Sequence, residues 1–231
     1  QLILKESEFL SAIEKGLAFV AKSDKLLTLG IKPNRPETGY GYIQIAEHID
    51  SNFYKVKTFT EKPEVELAKV FVESGEFYWN AGLFMWNVNS IIKAGESLLP
   101  ELATKLAAGK DVYGTPEEKK FIDENFPACP NVSIDFGIME KADNVYVSLG
   151  DFGWSDLGTW GSLYDLSQKD ESENVTLKCQ SLLYNSKNNI VVLPQNKLAV
   201  IDALEGYLIA ESDNVLLICK KDQEHSIRKY V

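Results

Sequence analysis

The chain has 231 residues, enough for one large domain or one and a half ordinary ones, and it is 45% hydrophobic and 25% charged, as soluble globular proteins are. Its net charge of −10 argues against nucleic acid as a partner and leaves small phosphorylated ligands, which need only one or two local lysines. No apolar run approaches the ~20 residues that span a membrane, no secretory signal is visible at Gln1–Leu4, and Cys129, Cys179 and Cys219 form no CxxC pair. A zinc site and a disulfide framework are therefore not expected, and a reducing cytoplasm is. His48 and His225 lack any Ser or Cys context resembling a nucleophile motif, so both read as ordinary surface or satisfied residues. The chain starts at Gln1 rather than Met, as a processed or cut chain would.

In chain order, residues 7–22 predict a helix capped by Ser7, with Phe9, Ile13, Leu17 and Val20 on one face. Leu26–Ile31 reads as a strand, and Pro33–Gly41, with two prolines and two glycines, as a loop. Tyr54–Thr60 alternates as a half-buried strand does, and Pro63 opens a helix ending near Gly75. Gly82–Val88 reads as a buried strand, and Ser90–Leu106 as helix interrupted near Pro100. Thr115-Pro116-Glu117-Glu118 is a helix start with a capping box, and Val145–Val147 is a short strand.

Helices alternating with strands predict an α/β fold with a largely parallel sheet. Residues 169–174 are polar and acidic, like a linker. Short β segments follow at Ile190–Leu193, Leu198–Ile201, Tyr207–Ile209 and Val215–Cys219, then a helix over Asp222–Tyr230. The predicted organisation is a domain over residues 1–170 and a β-rich tail over 171–231.

Four loop segments carry chemistry. Arg35-Pro36-Glu37-Thr38-Gly39-Tyr40-Gly41-Tyr42 places a tyrosine between two glycines, which lets backbone approach a ligand; it reads equally as a turn. Phe59-Thr60-Glu61-Lys62-Pro63 sets an acid beside a base at a strand–helix junction. Glu61 can accept from hydroxyls while Lys62 neutralises a phosphate, and the alternative is a solvated charged turn. In Tyr78-Trp79-Asn80-Ala81-Gly82-Leu83-Phe84, Asn80 can donate to and accept from a sugar hydroxyl; the alternative is an aromatic core. Gly153-Trp154-Ser155-Asp156-Leu157-Gly158-Thr159-Trp160 packs an acid suited to a metal ion or hydroxyl between glycines and tryptophans.

In this order, together with Ser133-Ile134-Asp135-Phe136-Gly137-Ile138-Met139-Glu140-Lys141, these segments resemble the sugar-1-phosphate nucleotidyltransferases, and most closely the mannose-1-phosphate guanylyltransferases. The similarity is strong over about residues 1–165 and weaker in the tail. It implies a Rossmann-like nucleotide-diphospho-sugar transferase fold, truncated at its N-terminus, with a small β-rich C-terminal appendage. It also implies an enzyme that joins GTP and mannose 1-phosphate into GDP-mannose and pyrophosphate, with Mg²⁺, by in-line attack and without a covalent intermediate. By motif match, Glu61 would hold mannose hydroxyls, Lys62 the sugar phosphate, and Asn80 and Gly82 the mannose pocket. Gly41, with Tyr40, would bring backbone against the sugar or its phosphate, and Trp154 would wall the sugar side. Asp156 would be one of two metal-binding carboxylates, and Asp135 has no implied role beyond shaping the pocket.

The family's glycine-rich loop, GGxGTRLxPLS, has no counterpart: no Gly-x-Gly-Thr-Arg run occurs. The expectation is a sugar-binding part of the enzyme with an open sheet edge, and hence a homo-oligomer. Two other classes compete: a non-catalytic sugar-nucleotide-binding regulatory subunit, and a pyrophosphorylase for another sugar phosphate. A plain interaction domain leaves the pocket segments unexplained. The pure chain is expected to be inactive, and pyrophosphate release from GTP by it would contradict that expectation.

Overall fold

The strand Leu26–Ile31 forms at the apolar run Leu26–Leu29 and is buried along nearly its whole length because it has neighbours on both edges. The computed structural model describes residues 1–229, apart from the side chains of His225 and Arg228; the end of the helix expected at Tyr230 lies outside the described residues. The chain divides into two compact units, residues 3–154 and residues 155–231 with 1–2.

In the first unit five strands close into a barrel in the order Leu26–Ile31, Phe77–Met85, Tyr42–Asp50, Phe53–Thr60, Val145–Leu149. Four of its pairings are antiparallel; only Leu26–Ile31 with Val145–Leu149 is parallel. The expected largely parallel sheet is thus corrected. A parallel pair needs a crossover of a dozen or more residues, and the link between Tyr42–Asp50 and Phe53–Thr60 is two residues long, with Ser51 at φ 47°. Closure also removes the open edge on which association was expected.

The core follows from which faces point inward. Leu26, Leu27, Leu29, Tyr42, Ile43 and Val147 are fully buried, each worth about 2 kcal/mol on burial. The helix Glu6–Val20 packs through Phe9, Ala12, Ile13, Gly16 and Val20, so Leu17, expected on that face, is half exposed. A Cβ at Gly16 would sit 2.7 Å from the Met85 sulfur, so a larger residue there would displace the Met85 side chain. Ser7 lies inside this helix, and its N-cap is Lys5. Val65–Ser74 ends at Gly75 in the left-handed conformation (φ 71°), as anticipated. Val88–Leu98 and Pro100–Ala107 are separate helices broken before Pro100. The capping box at Thr115 is displaced: Glu118 reaches back to the Gly114 N–H, and the helix is Glu118–Asn125.

The second unit is a small parallel β-coil. Val175–Leu177, Ile190–Val192 and Tyr207–Ser212 stack in parallel on one face, and Gln180–Tyr184 with Leu198–Asp202 on another. Val215–Lys220 folds back antiparallel on Tyr207–Ser212, and Lys221–Lys229 is a 3₁₀ helix. The asparagine-rich turns have a cause: Asn185, Asn188 and Asn196 all take left-handed φ, which asparagine tolerates. Asn189, fully buried, ties three layers together. Its Nδ2 donates to Asn174 Oδ1 (3.0 Å) and to the Leu204 carbonyl (2.9 Å), and its Oδ1 accepts from the Tyr207 N–H (2.8 Å). Residues 169–174 form an ordered turn, with Asp170 Oδ1 accepting from the backbone of Ser172 and Asn174.

Replacing Asn189 by Ala strands the Tyr207 amide and the Leu204 carbonyl and is expected to cost about 3 kcal/mol in urea unfolding; a loss below about 0.5 kcal/mol would contradict this role. Lys221 stacks its ammonium on the Tyr164 ring, 3.2 Å from the centroid. Burial lowers its pKa to about 8, with Lys169 adding to the shift and Asp165 and Glu173 opposing it. Because the folded state binds this proton less tightly than the unfolded chain does, stability is expected to rise with pH between about 8 and 10.5 relative to Lys221→Met. Parallel stability–pH curves for the two proteins would contradict it.

Candidate sugar-phosphate site

Two backbone irregularities build the site in the first unit. The pairing of Phe77–Met85 with Leu26–Ile31 slips between Thr28 and Gly30, and Gly82 sits at this bulge with φ 66°, a conformation that favours glycine. The bulge re-aims Asn80, which is 8% exposed. Its Oδ1 accepts from Thr28 Oγ1 (2.8 Å) and the Gly82 N–H (3.1 Å), while its Nδ2 donates to Asp135 Oδ1 (3.0 Å). The Gly82 amide can only donate, so the atom facing it is the oxygen. Both oxygen lone pairs are used, and Asn80 offers a ligand a second Nδ2 proton, a donor only.

The second irregularity is Lys62, a non-glycine residue at φ 47°. It follows Phe53–Thr60, and its Nζ pairs with Glu61 Oε1. The Glu61 side chain is 7% exposed and that of Lys62 61%, so the acid is sheltered and the base presented to solvent. Glu61 Oε2 lies where a Cβ of residue 41 would be, 2.5 Å from that point, so Gly41 is the space the carboxylate occupies. The Gly41 carbonyl accepts from the Asn80 N–H at 2.8 Å, which brings Gly41, Glu61 and Asn80 together.

The loop before Gly41 is pinned by Glu37, a residue the sequence motif contained without a role. Its buried carboxylate accepts from the Gly39 N–H (3.0 Å) and pairs with Arg35 (3.3 Å), whose guanidinium lies over the Trp79 ring. Tyr40 packs edge-on to both Trp79 and Trp154, with centroids 5.1 and 5.3 Å away. Trp154 is therefore part of an aromatic cluster with Tyr42 and Phe71, and its indole nitrogen is buried. Burial in the same cluster raises the pKa of the Tyr42 hydroxyl.

Asp156 belongs to the second unit. Its Oδ1 accepts from the Gly158 N–H (2.9 Å) and from Ser162 Oγ (3.3 Å), and its Oδ2 would lie 2.6 Å from a Cβ at residue 158. Glycine at 158 thus makes room for the carboxylate, and Leu157 takes a left-handed φ of 55° to form the turn. Thr159 caps the helix Trp160–Leu166 through the Ser162 N–H. Among the described residues no three His, Cys, Asp or Glu side chains converge as a metal cluster. Thr28, Glu37, Asp135 and Glu140, which hold the site, were not singled out as ligands by their residue types; an acid two residues before a loop glycine was the legible signal for Glu37 alone.

Comparison with known proteins gives the family and the fold. The chain is 35% identical to mannose-1-phosphate guanylyltransferase from Salmonella muenchen, over 100% of the chain and 48% of the relative. It is likewise 35% identical to mannose-1-phosphate guanylyltransferase 2 from Escherichia coli O157:H7, over 100% of the chain and 49% of the relative. The chain spans about half the length of the curated relatives it matches. The solved structure of mannose-1-phosphate geranyltransferase from Thermus thermophilus superposes with a TM-score of 0.78 at 27% identity, covering 99% of this chain and 65% of that one. Its similarity supports the mixed α/β, nucleotidyltransferase-like fold with a strand-rich C-terminal region. The model of the nucleotidyl transferase family matches residues 2–173, and the chain belongs to that family.

Proposed function

We propose that this chain is the sugar-phosphate-binding part of a mannose-1-phosphate guanylyltransferase, which joins GTP and mannose 1-phosphate into GDP-mannose and pyrophosphate. The observation that carries the reading is the sheltered Glu61 beside the exposed Lys62, set against Gly41 and Asn80. Glu61 can only accept and Asn80 can only donate further, so together they bind a hydroxyl in both of its hydrogen-bonding roles. Lys62 supplies a point charge for the phosphate and holds its oxygen for in-line attack on the nucleotide. Tyr40 and Trp154 provide the apolar wall for the sugar ring.

Magnesium fits one acid of the second unit, taken by itself. Mg²⁺ takes one or two carboxylates and completes its shell with phosphate and water oxygens. Asp156 offers a hard carboxylate whose Oδ1 is fixed by Gly158 and Ser162, and it would be this chain's ligand. When bound, the ion neutralises phosphate charge. Cysteines without a disulfide and the absence, among the described residues, of a helix long and apolar enough to cross a membrane support the cytoplasm as the location. The exposed Leu182, Tyr184, Leu198 and Val200 supply apolar surface for a homo-oligomer.

Calorimetric titration tests the reading. Mannose 1-phosphate is expected to bind more tightly than glucose 1-phosphate, and Lys62→Ala to weaken it by about 10- to 100-fold. Gly41→Ala, which drives a methyl into the Glu61 carboxylate, is expected to weaken it by about tenfold or more with the circular dichroism spectrum unchanged. Equal affinity of wild type and Lys62→Ala would contradict the assignment.

A further inference from the structure

Asp135 and Glu140 lie at the two ends of one π-helical turn, Asp135–Met139, and each holds a residue of the sugar-phosphate site. Asp135 Oδ1 accepts from Asn80 Nδ2 at 3.0 Å, and Glu140 Oε1 accepts from the Glu61 N–H at 2.9 Å. The turn is closed by the Glu140 N–H donating to the Asp135 carbonyl, also at 2.9 Å. In an α-helix, positions five apart point about 140° away from one another. A π turn uses the extra residue within a single hydrogen-bonded circuit, so position 140 returns to nearly the face of position 135. The uncommon helix type is what lets two carboxylates on one short segment reach the same site. Between them Ile138 and Met139 are buried with Ile43 and Phe59, which fixes the segment on the barrel.

Each contact has a defined effect. The Gly82 N–H already turns the Asn80 oxygen toward itself, and the Asp135 carboxylate accepts from Nδ2 in that same orientation and anchors the amide. The Glu61 N–H belongs to the residue before Lys62, whose left-handed backbone is unfavourable unless the surrounding contacts hold it. We propose that the Asp135–Glu140 turn is the positioning element of the sugar-phosphate site: Asp135 anchors the nitrogen end of the Asn80 amide, and Glu140 holds the Glu61–Lys62 turn. The inference rests on the function proposed above for its ligand, mannose 1-phosphate, and on the geometry alone for its contacts.

A double-mutant cycle read by calorimetric titration of mannose 1-phosphate tests it. Asp135→Ala is expected to weaken binding about tenfold in the wild-type background and less than about twofold in an Asn80→Ala background, because its effect passes through Asn80. Asp135→Asn retains an acceptor oxygen and is expected to bind within about threefold of wild type. Glu140→Ala is expected to weaken binding about tenfold, and Glu140→Gln, which keeps an oxygen for the Glu61 N–H, to restore it. Equal losses from Asp135→Ala in both backgrounds, or no loss from Asp135→Ala or Glu140→Ala, would overturn the proposal. If wild type does not bind mannose 1-phosphate, the functional reading fails, and the positioning is then read without ligand. The side-chain amide resonances of Asn80, assigned by their loss in Asn80→Asp, are expected to shift in Asp135→Ala, and unchanged resonances would overturn it.

Discussion

Asn80 is a nearly buried amide at a strand bulge, and a buried amide must find partners for its oxygen and its nitrogen. Much of the first unit's local architecture answers that requirement. Gly82 takes a left-handed conformation and turns its N–H back to the Asn80 oxygen. Thr28, fully buried on the neighbouring strand, supplies the second donor, and Asp135 takes the nitrogen from the π-helical turn. The Asn80 N–H in turn fixes the Gly41 carbonyl. One residue, through its side chain and its backbone N–H, therefore ties together two barrel strands, a loop and a helical turn. Leaving any of these partners unmet costs about 1–3 kcal/mol, which gives the bulge a strong preference for one arrangement.

The electrostatics of the site are local rather than global. A chain of net charge −10 repels phosphate at long range, yet Lys62 stands at the surface beside a sheltered Glu61 and within a turn that strains its own backbone. At physiological salt the distant acids are screened beyond about 8 Å, so the nearest charges decide. In the function proposed, a single turn pairing an acid with a base would serve both ends of a sugar phosphate, the carboxylate toward hydroxyls and the ammonium toward the anion.

Much of the fold was legible where periodicity was strong. Leu26–Ile31 and the helix after Pro63 follow from apolar runs and from Pro and Gly punctuation. The strand Tyr42–Asp50 escaped notice because only its first two residues are buried; Gln44 and Ile45 are half-buried, and from Ala46 on it is exposed, with Glu47 and His48 breaking any apolar alternation. The antiparallel barrel was hidden because sequence alternation of helix and strand says nothing about strand direction when connections are short. In the second unit, Val175–Leu177 is too short for a pattern, and its pairing with Ile190–Val192 is flanked by the buried Asn174–Asn189 hydrogen bonds instead. At the site, the motif glycines and Glu61-Lys62 stood out by composition. Asp135 and Glu140 did not, since the role of each comes from a π turn, and no residue pattern distinguishes that turn from an α-helical one.

The central claim is that Gly41, Glu61, Lys62 and Asn80 form one sugar-phosphate pocket. A crystal structure of the chain with mannose 1-phosphate tests it most directly. The account predicts the phosphate within hydrogen-bond distance of Lys62 Nζ, one mannose hydroxyl shared between the Glu61 carboxylate and Asn80 Nδ2, and the sugar ring against Gly41. A ligand seated elsewhere, or one whose phosphate avoids Lys62, would contradict it.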